Sequence, residues 1–194
     1  MPNPHETSAR PELRQTGEEG VWILILGDML LFWVFFMTYM YYRSQDSALY
    51  DSSQLALNKG LGLVNTLILL TSSWCVAAAV DTARRNETRL ARQLIGGAGA
   101  LGCSFIVIKI VEYSEKIGEG IAINTNEFFM FYFMLTGIHL LHVLVGTVFL
   151  LVMFAMADGN SSSRVAVLES GGLFWHLVDL LWVVLFTMLY LVRT

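Results

Sequence analysis

Cysteine, proline and charge are all scarce in this 194-residue chain, and each scarcity removes a class of protein. The two cysteines, Cys75 and Cys103, stand far apart inside apolar stretches. That excludes a disulfide scaffold and a cysteine-rich metal site and leaves buried free thiols. All three prolines fall within the first 20 residues, so no proline breaks a helix further along. Charged residues make up 14% of the chain, against roughly 25% in a soluble domain, while 55% are hydrophobic and the mean hydropathy is +0.58. A soluble enzyme is excluded, and a membrane protein is indicated. Also missing are a glycine-rich phosphate loop, a nucleophile with its base and orienting group, an internal repeat, and the two-residue alternation of a membrane barrel.

What the chain has instead is long apolar runs. Five read as spans, at residues 21–42, 61–80, 94–112, 128–157 and 173–192. Each is close to or above the ~20 residues that cross ~30 Å of hydrocarbon. In lipid a segment must satisfy its own backbone, so such runs become helices. The expected fold is an all-α integral membrane bundle of five transmembrane helices over residues 21–194, preceded by a polar cytoplasmic tail over residues 1–20. The fourth run exceeds one span and should tilt or project into water. The connections, among them RSQDSALYDSSQLALNKG and DGNSSSRVAVLESGG, read as polar loops. On the third run Gly96, Ala100 and Ser104 recur every four residues, as do Gly99 and Cys103, which predicts close approach of a neighbouring helix along that face.

Lysine and arginine fix the expected orientation. One side carries Arg10, Arg14, Arg84, Arg85, Arg89, Arg92 and Arg164; the other carries Arg43, Lys59, Lys109, Lys116 and Arg193. The arginine cluster in one short loop predicts a cytoplasmic N-terminus and a C-terminus on the periplasmic or extracellular side. The same cluster is better read as a topology determinant than as a nucleic-acid site, so no nucleic-acid partner is expected.

Ionisable residues at membrane depth carry the functional information, because each costs roughly 2.5–3.5 kcal/mol on insertion unless paired or neutralised. They are Asp28, Glu112, His139, His142, His176 and Asp179, with Lys109, Glu115 and Glu169 nearer the borders. Asp28, in LILGDMLLF, reads either as a proton-accepting or proton-positioning group or as a protonated side chain pinning two helices. Lys109 and Glu112 are three residues apart and can pair on one helix face. Asn65, in GLVNTLILL, reads as an interhelical hydrogen-bonding residue. His139 and His142 share a helix face, and FWHLVDLLW repeats the spacing with His176 and Asp179. Those four side chains are a conceivable metal set, although such a site normally recruits more carboxylates or cysteines. The preferred reading is an interhelical polar network of Asn65, His139, His142, His176, Asp179 and Glu169, with Asp179 fixing a histidine tautomer.

These residues together resemble subunit III of the haem-copper oxidases. TGIHLLHVLVGTVFL is similar to that family's penultimate helix, and LESGGLFWHLVDLLWVVLFTMLY to its last, including the preceding Glu169 and the Trp-His-x-x-Asp core. GLVNTLILLTSS, VEYSEK and WILILGDMLLFWVFF resemble its other helices in the same order, the last of these bearing its intramembrane carboxylate. Members with seven spans have two further N-terminal helices that form a phospholipid cleft; five spans are legible here, and Asp28 stands where many members have the longer glutamate. The five-span pattern and TNEFFMFYFMLTGIHLLH most resemble the NorE-like branch, encoded beside nitric oxide reductases in some bacteria.

The resemblance implies a non-catalytic accessory subunit of a respiratory terminal reductase in the bacterial cytoplasmic membrane. It would pack against a haem-bearing subunit I-type protein, stabilise it in turnover and support cytoplasmic-side proton uptake, with phospholipids around it. No cofactor is expected in this chain, and haem with copper or iron is expected in the partner. A haem-copper core needs about six histidine ligands. The chain has four histidines, one of them His5 in the tail. Two other classes stay open at this point, a free-standing proton or ion transporter and a membrane metalloprotein.

Overall fold

The structure, a computed structural model, describes residues 18–156 and 162–192. The polar tail expected at the N-terminus lies almost wholly outside the described residues. Within them the chain is all-helical: α1 (Glu18–Gln45), α2 (Ser47–Gln54), α3 (Lys59–Arg84), α4 (Thr88–Gly118), α5 (Glu127–Met156) and α6 (Ser162–Phe186), the last continued by a π-helical turn, Thr187–Leu191. Five of these elements are long and apolar enough to cross a membrane, which makes the chain a multi-pass membrane protein.

Local chemistry sets the ends of the helices. Asp46 accepts from the Leu49 amide, Asn58 from those of Gly60 and Leu61, and Asn126 from that of Phe129, so three helices begin on a side-chain cap. α3 and α4 end in the same way. The Glu87 amide donates to the Thr82 carbonyl across left-handed Asn86 (φ 62°), and the Ile121 amide to the Lys116 carbonyl across Gly120 (φ 80°). Such a reversal consumes the orphan carbonyls of a last turn.

Two connections differ from the sequence expectation. The segment expected to be a loop after the first span contains α2, an edge helix that buries Tyr50, Ser53 and Gln54 against the bundle. Burial pushes the Tyr50 phenol well above its ordinary range. α6 begins at Ser162, inside the expected loop before residue 173, because nothing in SSRVAVLES forbids a helix and Leu168 buries itself.

α3 and α4 form the most tightly packed pair, while α1 is the least buried span and α6 the most. The core is aromatic: Trp175, Trp182, Tyr39, Tyr132, Tyr190, Phe32 and Phe105 are fully enclosed. Trp175 occupies a slot cut by two glycines. A Cβ on Gly102 of α4 would stand 2.9 Å from its ring, and one on Gly146 of α5 would stand 2.7 Å from it. The small-residue face predicted on α4 lies elsewhere. It meets α5 only at its start, where a Cβ on Gly96 would stand 3.3 Å from the Phe154 ring; Ala100 and Cys103 line an open groove beside α5, Ser104 is exposed, and the covered face runs through Ile95, Ala98, Gly102, Phe105, Lys109 and Glu112. Which small residues meet a neighbour depends on how the helix is rotated, and Phe105 with the Lys109 and Glu112 pair dictates that rotation.

The π-helical turn has an identifiable support. The Met188 carbonyl accepts from Gln54 Nε2 at 3.2 Å and from the Tyr39 hydroxyl at 3.4 Å, while the guanidinium of Arg43 joins the Val192 carbonyl at 2.7 Å to Asp51 at 2.8 Å. Side chains of α1 and α2 thus hold the widened last turn, and that turn carries Tyr190.

Candidate functional site

Two polar groups lie at membrane depth near opposite ends of the bundle. The first joins α1 to α5. His142 Nδ1 lies 2.8 Å from the Ile138 carbonyl one turn earlier, and a carbonyl can only accept, so Nδ1 carries a proton. His142 Nε2 then faces Asp28 Oδ2 at 3.3 Å. The contact pairs a carboxyl of α1 with an imidazole of α5 at membrane depth. Phe32 meets the imidazole edge-on at 5.5 Å and covers one side. The pair stays open on the other, where the Asp28 and His142 side chains retain 22% and 16% of their surface.

The second group is sealed. Lys109 and Glu112 are both fully buried, with Lys109 Nζ 2.9 Å from Glu112 Oε2. Glu112 Oε1 accepts from the hydroxyls of Tyr132 on α5, at 3.0 Å, and Tyr190 on the π-helical turn, at 2.6 Å. Lys109 also reaches the Tyr190 oxygen at 3.1 Å and lies 5.0 Å from the centres of the Tyr132 and Trp182 rings. A buried ion pair repays its desolvation only when its remaining hydrogen-bonding capacity is filled, and here two phenols and the aromatic faces fill it. The sequence shows the i,i+3 pair; its two phenols come from other helices and carry no local signal.

A smaller link ties α3 to α6. Ser73 Oγ bonds His176 Nδ1 and is also the hydrogen-bonding neighbour of the Asp179 carboxyl. Trp182 Nε1 donates to Thr66 at 3.0 Å, one residue along from Asn65. Glu169 is taken at the bundle end by Arg84, whose Nε and Nη2 donate to one carboxylate oxygen at 2.9 and 2.7 Å.

The residues singled out by sequence are therefore not one network. His142 pairs with Asp28, not with Asp179, and its tautomer is fixed by a carbonyl. His176 and Asp179 meet through Ser73. His139 is fully buried between Trp182, stacked at 5.2 Å, and Phe105, with both ring nitrogens lacking a partner among the described residues; both polar side-chain atoms of Asn65 lack one as well. Glu115 is exposed. Among the described residues no three His, Cys, Asp or Glu side chains converge as a metal site. Ser73, Tyr132, Tyr190 and Thr66 join these groups without any distinguishing signal in the sequence.

The family model described as cytochrome c oxidase subunit III matches residues 9–193. The chain belongs to the cytochrome c oxidase subunit III family. Among subunit III relatives, cytochrome bo(3) ubiquinol oxidase subunit 3 of Pseudomonas aeruginosa is 31% identical over 177 residues, covering 89% of this chain and 83% of that protein. Cytochrome c oxidase subunit 3 of Synechocystis is 30% identical over 190 residues, or 96% and 79% of the two chains. In Aeropyrum pernix the similar stretch is part of a heme-copper oxidase subunit I+III, 26% identical over 182 residues that make up 22% of that longer protein.

Proposed function

We propose that this chain is the accessory membrane subunit of a respiratory terminal reductase, seated against a haem-bearing subunit I-type protein that holds the haem and the copper or iron. The observation that carries the reading is membership of the subunit III family over almost the whole chain. The fused subunit I+III relative supports the choice of partner, since there the two parts are one polypeptide. The role is to hold the partner together through turnover and to support proton delivery at its cytoplasmic side. Asp28 with His142 is the group suited to proton delivery, because a carboxyl and an imidazole in contact are both proton-exchanging groups and the pair keeps one open side. The arginines around the α3–α4 turn support a cytoplasmic N-terminus in a bacterial inner membrane, an orientation that would set Asp28 in the cytoplasmic half of α1. The NorE-like pattern favours a nitric oxide reductase as the complex served, with an oxygen reductase as the other member of the same class. Phospholipids would cover the exposed apolar faces of α1 and α5.

The test is Asp28→Asn in the purified complex. The substitution keeps the side-chain shape and a donor for His142 and removes the carboxyl. Assembly is expected to persist, with slower proton uptake or shorter turnover lifetime. Loss of assembly, with normal kinetics in whatever complex remains, would make Asp28 a structural pin.

A further inference from the structure

An apolar cleft separates the first half of α1 from α5 and α6. Its outer part, about 490 Å³, lies between Val21 and Leu24 of α1, Phe149 of α5 and Phe174 of α6. Its inner part, about 300 Å³, shares Leu24, Phe149 and Phe174 and ends on Asp28 and His142. The two parts form one passage from the bundle end to a polar floor about 12 Å deep, at 1.5 Å per helical residue from Gly20.

The chemistry of the walls and floor narrows the occupant. Apart from Ser170 in the outer part, the walls are hydrocarbon and two tilted phenylalanine rings 5.4 Å apart, a surface suited to a flat ring and an unbranched or isoprenoid tail. The floor has spent both imidazole nitrogens, on Ile138 and on Asp28 Oδ2. Among the described residues Asp28 has no protein partner other than His142, so its second oxygen is left for a hydroxyl donor. A phospholipid puts its polar group at the membrane surface and only methylenes at this depth, and so offers that oxygen no donor. A ring hydroxyl carried on a long apolar tail brings a donor to the floor and hydrocarbon to the walls.

We propose that the cleft binds an isoprenoid quinol, with one ring hydroxyl donating to Asp28, the ring beside Phe149 and Phe174, and the tail leaving along Leu24 and Val21. No electron transfer is assigned to the site; it holds the carrier in its reduced form. The inference goes beyond the accessory role and does not depend on it.

The test labels membranes containing the tagged full chain with a benzoquinol whose decyl tail bears a photoreactive diazirine, followed by mild detergent purification and mapping of modified peptides. The expected result is label within residues 21–28, 141–149 or 167–174, reduced about tenfold by excess decylubiquinol, the competition expected of a specific site. Val145→Trp fills the inner part from α5 while leaving both members of the polar pair in the sequence, and should abolish the competed label. Asp28→Leu should lower it with the far-UV spectrum unchanged. Absence of label from these segments, label that decylubiquinol does not displace, or equal displacement by phosphatidylglycerol would overturn the proposal. Competed label in a preparation without a haem-bearing partner would keep the site and defeat the accessory reading, and the reverse pattern would do the opposite.

Discussion

Replacing one member of the Lys109–Glu112 pair should cost far more than replacing both. Lys109→Met fills the same space with a thioether and leaves the Glu112 carboxylate fully buried, with only the Tyr132 and Tyr190 hydroxyls to stabilise it. Removing one partner of a buried ion pair costs about 3–5 kcal/mol, because the other charge remains. Glu112→Leu strands the ammonium in the same way and also orphans two phenols, adding about 1–3 kcal/mol for each hydroxyl left without an acceptor. The double variant Lys109→Met/Glu112→Leu removes both charges, and its remaining cost is the two phenols, which can turn toward each other. The singles are therefore expected to sum to well above the double, with a coupling far outside the about 0.5 kcal/mol within which independent sites add. The assay is reversible unfolding in mixed micelles followed by the near-UV signal, since the cage contacts Trp182. Additive single effects, or either single costing less than about 1 kcal/mol, would refute the view that the pair is a closed unit inside the bundle.

Three further outcomes follow from the geometry. Gly146→Val should destabilise the bundle by about 3 kcal/mol or more, because Trp175 fills that space and overpacking of a tight core costs about 1–3 kcal/mol even where it can relax; thermal inactivation in detergent reads it. Gln54→Leu combined with Tyr39→Phe removes both donors to the Met188 carbonyl and should loosen the π-helical turn, seen as faster hydrogen exchange at the end of α6 and a lower melting temperature. Ser73→Ala breaks the link between α3 and the His176 and Asp179 side chains and should cost about 1–3 kcal/mol, whereas Arg84→Ala, at an exposed pair, should cost less than about 1 kcal/mol.

The spans are legible in the sequence because lipid imposes a plain rule, and a long apolar run has few alternatives to a helix. What the sequence hides is relational. α2 is polar enough to read as a loop, and only its burial of Tyr50 against the bundle makes it an element. The widened turn at Thr187–Leu191 has no local signature, since its support comes from Tyr39 and Gln54 on other helices. Lys109 and Glu112 announce themselves by spacing, while Tyr132 and Tyr190 look like any apolar aromatic until the packing aims them at one carboxylate. Four candidate histidine and aspartate positions on α5 and α6 suggest a shared cluster. The rotation of those helices instead sends His142 outward to α1, His176 toward α3 and His139 into an aromatic stack.

The central claim is that this chain serves a haem-bearing catalytic subunit. Its most direct test is to tag the chain, extract native membranes in mild detergent, and record the optical spectrum and polypeptide composition of what copurifies. The account predicts a stoichiometric haem-bearing membrane polypeptide, with b- and c-type bands for a nitric oxide reductase or a-type bands for an oxygen reductase. A well-folded preparation carrying neither haem nor a partner polypeptide would contradict it.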